Sequence, residues 1–321
     1  MDICKLLVGG NYFLADQVKF FDNPIFHQAS DRLDVEVIDW TDVIKKKPHK
    51  VDAPCAMVFG LKTWTRLARK KHGMGWSEII PRIHRYLKHA VGDKPIGVFD
   101  DLSTKEVRHH GERMQRMFFD NFDCRFYLLR EGMKKQQYDK RVKPFTMPCK
   151  DFTYLAKPIK DKQLDIFFRG NESDPERVKF FKQYQKTKHD MRADVIVYRG
   201  GDRAKERLSH EQFMAKMADS VFNFHFKGTG YCCYRYQEIA SSGSIIVSPS
   251  YPHLVSHDYV DMESCIIYRS FDDMMSKMRQ LLKRPERLQE MQDRSIENFR
   301  KYHTTEKRFE ELLESIELLG R

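Results

Sequence analysis

The sequence predicts an α/β protein made of two doubly wound domains in tandem. Three observations predict it. Short β-rich runs alternate with stretches of helical periodicity, a break rich in Lys, Gln and Pro interrupts the alternation at 131–163, and the same alternation then starts afresh. Strands alternating with helices imply parallel sheets covered on both faces. Such sheets bind ligands outside the C-terminal ends of their strands. A chain of 321 residues can bury two cores of ordinary size.

In the first half the expected strands are Ile3–Val8, Val35–Trp40, Cys55–Phe59, Pro95–Asp100 and Cys124–Leu129. Ser77–Ala90 is expected to be helical because Ile79, Ile80, Ile83, Tyr86 and Leu87 recur at helical spacing. Ser103–Phe119 is the next helix, opened by the capping-box sequence Ser103-Thr104-Lys105-Glu106. The break holds Pro144, Pro148 and Pro158 and no clear period. The second half reads as strands Leu164–Phe168, Ala193–Tyr198, Ser220–Phe226, Ser244–Val247 and Cys265–Tyr268. Its helices are Pro175–Tyr184, Ser209–Met217, Tyr234–Ser241, Phe271–Leu282, Pro285–Tyr302 and Thr304–Leu319, with a second capping box at Ser209–Gln212. The expected organisation is a first domain over 1–145, a linker over 146–163 and a second domain with C-terminal helices over 164–321.

Composition excludes several classes. Hydrophobic content of 41% with 32% charge is that of a globular protein. No apolar run approaches the ~20 residues of a membrane-spanning helix, and the N-terminus lacks the pattern of a signal peptide. Seven cysteines, an odd number with no C-x-x-C pair, argue against a disulfide framework and a structural zinc site. They favour a reducing compartment, so a cytoplasmic location is expected. The net charge of +11 is uneven. Residues 1–150 hold 28 Lys and Arg against 19 Asp and Glu, a net of +9, while the remainder is nearly neutral. A basic half joined to a neutral one suits an anionic partner for the first half, or simply aids solubility.

The densest run of unusual residues is Lys227 to Pro249. A strand, a Gly-containing loop and a helix start are a general layout for holding phosphate: glycines let the backbone approach, and free N–H groups and the helix dipole favour an anion. Gly228 and Thr229 follow Lys227 in that loop, and Tyr234 opens the helix. Lys227 would add a cation. Arg235 and Glu238, three apart, share one helix face, and could be a ligand-binding pair or a plain intrahelical ion pair. The loop is not a Walker A motif, because the G-x-x-x-x-G-K-[ST] register is missing.

The arrangement R-x-x-E-x-x-x-x-G over Arg235, Glu238 and Gly243, followed by a strand and Pro249, resembles the donor half of GT-B glycosyltransferases. The spore-maturation (CgeB-like) and exostosin-like groups are the most similar. Phe167-Phe168-Arg169-Gly170, the Ser209-to-Ser220 segment and the terminal Tyr302-His303-Thr304 to Arg308 match further parts of that pattern. The resemblance covers roughly 164–310. It implies a GT-B fold, two Rossmann-like domains facing a cleft, and a nucleotide-sugar donor, with a UDP-sugar expected. It implies that Glu238 binds the donor ribose, and that protein cations rather than an obligatory metal stabilise the leaving group. Arg169, beside Gly170 at a strand end, and Lys227 are the leading cations. Gly230 stands where many retaining members carry an earlier Glu, which removes one marker of a retaining mechanism.

Glycosyl transfer also needs a base for the acceptor hydroxyl. Asp100 and Asp101 end a first-domain strand and are the candidates; capping of the next helix and metal binding are the other readings of the pair. Gly9, Gly10 and Asn11 occupy the equivalent strand-end place on the acceptor side. His225 is a minor candidate for reaching sugar or phosphate, and Cys232-Cys233 read as small apolar packing residues. The stretch from Lys62 to Trp76 mixes cations with tryptophans, through Lys62, Trp64, Arg66, Arg69, Lys70 and Trp76, as a nucleic-acid surface does. The leading expectation for the acceptor is therefore DNA carrying a hydroxymethylated base, as with phage-type DNA glycosyltransferases. The alternatives are a surface glycan, lipid-linked or protein acceptor, and a non-catalytic module that binds nucleotide or nucleic acid.

Overall fold

The computed structural model describes residues 5–7, 56–58, 69, 73–100, 112–172, 174–187, 190–198, 208–228, 230–231, 233–317 and 319. They divide into two compact units. Unit 1 takes the described residues up to Thr146, together with His253–Ser256 and those from Arg308 onward. Unit 2 takes Met147–Pro252 and His257–Lys307.

Unit 1 is built on a parallel sheet of β1 (Lys5–Leu7), β2 (Ala56–Val58), β3 (Ile96–Asp100), β4 (Cys124–Leu129) and β5 (Val142–Pro144), in that spatial order. Helix α1 (Trp76–Val91) precedes β3 and α2 (Glu112–Asn121) precedes β4. The apolar stripe read in the sequence lies inside: Ile79, Ile83 and Leu87 of α1 pack with Val98 of β3, Phe118 of α2 and Tyr127 of β4. Gly97 of β3 faces Phe126 so closely that a Cβ would stand 2.2 Å from its ring. The short β5 falls in the stretch expected to be irregular. Three residues with a central Lys and a terminal Pro carry no period, yet both residue types suit a sheet edge. The expected strand Val35–Trp40 and the Ser103–Glu106 capping box lie outside the described residues.

Unit 2 holds β6 (Leu164–Asn171), β7 (Ala193–Tyr198), β8 (Ser220–Phe224), β9 (Ile245–Pro249) and β10 (Cys265–Tyr268), all parallel. The spatial order is β10-β9-β8-β6-β7. This is the 2-1-3-4-5 form of the doubly wound plan, so the chain leaves β6 toward one edge and β8 toward the other. The place where they part is the switch point at which such sheets hold ligands. Helices α3 (Pro175–Lys186), α4 (His210–Ala218) and α5 (Tyr234–Ser241) connect the strands, and α6 (Phe271–Leu282) and α7 (Pro285–Tyr302) follow; α8 (Thr305–Glu317) starts in unit 2 and belongs to unit 1 from Arg308. Starts agree with local chemistry: Asp174 and Ser270 cap α3 and α6, Pro285 opens α7, and Ser209 with Gln212 forms a capping box on α4. The core is aromatic, with Phe168, Phe180, Phe181, Phe224 and Phe226 in mutual ring contact. Gly243, the glycine of the R-x-x-E-x-x-x-x-G pattern, turns the chain after α5 with φ of 73°. A Cβ there would lie 2.5 Å from that of Ala156. Among the described residues no helix is long and apolar enough to cross a membrane.

One buried cation lies at the base of unit 2. Lys162 is 2% exposed, and its Nζ donates to the Ala218 carbonyl at 2.6 Å. Burial pulls its pKa down to about 7 from an ordinary 10.5, against the attraction of Asp219. The unfolded chain therefore binds more protons than the folded one between those values, and folding becomes more favourable as pH rises. Urea unfolding across pH 7 to 10.5 should show Lys162→Met removing a slope of about 1.4 kcal/mol per pH unit at its steepest. Equal slopes in variant and parent would refute the assignment.

Candidate functional site

Unit 2 gathers its polar side chains at the C-terminal ends of β6 and β8. β6 ends in Arg169-Gly170-Asn171, and β8 runs on through His225-Phe226-Lys227-Gly228 toward α5. Arg177, in the first turn of α3, ties the two ends. Its guanidinium donates to the Asn171 carbonyl at 2.9 Å and to those of Lys227 at 3.1 Å and Phe226 at 3.5 Å. Its head lies over the rings of Phe168 and Phe226. Burial lowers its pKa, and the nearby Arg235 charge adds to that against the pull of Cys233. Gly170 leaves room here, since a Cβ would come within 2.7 Å of the Phe168 ring.

Arg235 and Glu238 lie on one face of α5, as their spacing predicts. Arg235 Nε donates to Glu238 Oε2 at 3.3 Å, its Nη1 reaches the Arg169 carbonyl at 3.4 Å, and its head stacks 4.2 Å from the Phe213 ring centre. His210 Nε2 lies 3.4 Å from the other oxygen, Glu238 Oε1. Burial alone would raise the Glu238 carboxyl, but His210 and Arg235 outweigh it and hold it below its ordinary value. The opposite face of α5 is locked inward. Gln237 accepts from the Tyr259 hydroxyl at 2.8 Å and contacts His303 Nδ1 at 3.3 Å, while the Tyr236 hydroxyl donates to Asp258 at 2.8 Å. His303 thus supports α5 from behind. Arg308, from the same terminal pattern, is buried in unit 1 beside Glu311 at 2.7 Å and over Phe145.

The other expected donor residues are partly engaged with protein groups. Arg169 is bound by Asp194 of β7 at 3.0 and 3.2 Å; burial opposes its charge, but Asp194 and Tyr198 raise its pKa. Lys227 Nζ stands 3.5 Å from Asp174 and 3.6 Å from Glu176, so an anion would compete with these carboxylates for it. Its N–H donates to the Tyr251 hydroxyl at 3.1 Å. Gly228 is exposed, its N–H donating to the Gly230 carbonyl at 2.9 Å, and Tyr234 is 44% exposed. Thr229 lies outside the described residues. His225 is fully buried, with Nδ1 3.0 Å from Ser248 Oγ and Nε2 3.3 Å from the thiol of Cys233. Cys233 is thus in polar contact as well as packed.

In unit 1, Asp100 is fully buried and accepts a hydrogen bond from the Tyr127 hydroxyl at 2.5 Å. Action as a base would require that enclosure to open. Trp76 is half-buried against the core and Arg69 is exposed. Gly9, Gly10, Asn11, Lys62, Trp64, Arg66, Lys70 and Asp101 lie outside the described residues. The exposed face of α1 carries Arg82, Arg85, Lys88 and His89. Two site residues escaped sequence reasoning, Arg177 and His210. Each sits in the first turn of a helix, and for Arg177 a cation there opposes the dipole. That misplacement is the signal that could have found Arg177; His210 carried none in the sequence.

Residues 165–314 match the family described as glycosyl transferase-like. No curated protein matches the chain. Among solved structures, an α1,3-fucosyltransferase aligns over 100% of this chain and 91% of its own with a TM-score of 0.55 at 11% identity. Anabaena HepE in complex with UDP and glucose aligns over 98% and 99% with a TM-score of 0.56 at 7% identity. An α-glucosyltransferase in complex with UDP-glucose and DNA containing an abasic site aligns over 98% and 99% with a TM-score of 0.52 at 11% identity. At these identities the likeness shows the architecture, which is the two-domain GT-B fold. The family match, over just under half of the chain, and the architecture together support glycosyl transfer from a nucleotide sugar.

Arg177 should govern the order of the loop after β8. Arg177→Met removes three hydrogen bonds to carbonyls and leaves much of the apolar contact. Amide exchange at Lys227 and Gly228 should speed up at least about tenfold, since one bond to a charged donor contributes ~1.5–3 kcal/mol. Unchanged protection would show that the loop is held by other means.

Proposed function

We propose that this chain moves a sugar from a UDP-sugar, held at the β6 and β8 ends of unit 2, to a hydroxyl of an acceptor bound by unit 1. The observation that carries the proposal is the Arg235–Glu238 pair on α5, directed to the switch point of a glycosyl transferase-like unit. In this reading Glu238, kept ionised by His210 and Arg235, accepts hydrogen bonds from the donor ribose. Arg235, Lys227 and Arg169 form the cationic side of the diphosphate site, with Gly170, Gly228, Thr229 and Tyr234 around it. The acceptor oxygen bonds to the anomeric carbon as the bond from that carbon to the phosphate oxygen breaks; UDP leaves with the electron pair. The acceptor proton passes to a carboxylate, with Asp100 the proposed base and Asp101 next to it in the chain. Cations and N–H groups around the diphosphate supply the stabilisation that such a leaving group needs.

DNA bearing a hydroxymethylated base is the proposed acceptor. Three observations support it: the net +9 of residues 1–150, the exposed cations of α1, and the likeness to a fold that has been seen with DNA and UDP-glucose. Gly9, Gly10, Asn11, Lys62, Trp64, Arg66, Arg69, Lys70 and Trp76 would line the acceptor side. Reaching a base hydroxyl would require taking that base out of the stack.

A transfer assay with UDP-sugars, with and without hydroxymethylated duplex DNA, tests both parts. Sugar should appear on the DNA, and binding of the duplex should weaken steeply with salt. No binding at low salt would exclude the DNA acceptor and favour a glycan, lipid-linked or protein one. Glu238→Ala should weaken UDP binding about tenfold or more, the loss expected from a hydrogen bond to a charged group. Asp100→Asn should abolish transfer and spare donor affinity. Donor binding without turnover on any acceptor would favour a non-catalytic module.

A further inference from the structure

We infer that His210 is a positioning residue for the donor ribose, acting through Glu238; the inference rests on the ribose-binding reading of Glu238 given above. The Glu238 carboxylate is held at both oxygens from different elements. Arg235 of α5 reaches Oε2 at 3.3 Å, and His210 of α4 reaches Oε1 at 3.4 Å. Its side chain remains 18% exposed. An ionised carboxylate has about four lone-pair directions, so each oxygen, with one donor already in place, keeps another for a ligand. Two acceptors set side by side match the two neighbouring hydroxyls of a ribose.

The arrangement around His210 is built rather than incidental. The residue opens α4, and the capping box of Ser209 and Gln212 fixes its backbone. Its ring meets Phe152 edge-on at 5.5 Å, and Phe152 is itself only 7% exposed, with Lys150 Nζ 5.6 Å from its ring centre. Arg235, less exposed than His210, is seated by the Phe213 ring and the Arg169 carbonyl. The terminal torsion of a Glu side chain is broad and soft. A donor on one oxygen alone leaves the carboxylate free to turn; donors on both, from separately anchored helices, fix its plane. His210 therefore selects the orientation in which both ribose hydroxyls can be met.

The test uses the full chain and titrates UDP against 2′-deoxy-UDP by calorimetry. The parent should prefer the ribonucleotide by about tenfold to a hundredfold, the range for a hydrogen bond to a charged acceptor. Glu238→Ala should erase that preference. His210→Ala should lower it at least about fivefold, and His210→Gln, whose amide can still donate to the carboxylate, should restore most of it. A ratio measured within one protein is insensitive to a partly unfolded fraction, so a merely structural role for His210 would leave it unchanged. Full preference in His210→Ala alongside its loss in Glu238→Ala would overturn the role of His210 alone. No preference in the parent, or one that survives Glu238→Ala, would overturn the ribose reading and this inference with it.

Discussion

Where a doubly wound sheet changes direction, the strand ends on either side lose their partners, and their carbonyls must bond elsewhere. In unit 2 one guanidinium meets that need. Arg177 lies beneath the gap, and its planar fork suits three carbonyls approached from one side. The arrangement costs something locally, because a cation in the first turn of α3 opposes the helix dipole and much of it is out of water. The gain is that the end of β6 and the run after β8 become one surface. The neighbouring contacts depend on it: Lys227 N–H on the Tyr251 hydroxyl, and the Cys233 thiol between His225 and the Phe226 carbonyl.

The second requirement is that α5 should point the right way. Eight residues make a weak helix on their own, so α5 is held by what it buries. Ile239 and Ala240 are fully buried, Gln237 bridges Tyr259 and His303, and Tyr236 is tied to Asp258. These contacts use the inward face completely. Arg235 and Glu238 are left at the opposite face, partly open to solvent and paired with each other. The division also explains the long spacing of the motif. Gly243 must follow because only a residue without a Cβ passes Ala156 with positive φ, and His303 must lie behind because Gln237 needs a partner.

Much of this was legible in the sequence. The bounds of β7, α5, β10, α6 and α7 coincide with those expected from period and cap chemistry, since each has a clear start and a strong apolar pattern. The Arg235–Glu238 face followed from spacing alone. β5 was not legible, because three residues cannot carry a period, and a strand that short is defined by its partner β4. Arg177 and His210 were missed because their roles depend on tertiary neighbours: carbonyls from two other strands for one, a carboxylate from another helix for the other. The enclosure of Asp100 was equally hidden, since the Tyr127 that covers it lies 27 residues away on the adjacent strand.

The division of the chain also bears on how the protein is made. Unit 1 takes its last described helical residues, from Arg308, after nearly all of unit 2 has been read. Arg308 is 2% exposed there, under Phe145 and paired with Glu311. On a ribosome, the strands of the first sheet are therefore made early and this helix later, with an entire second core synthesised in between. A buried arginine read after the second core ties completion of the first unit to synthesis of that core.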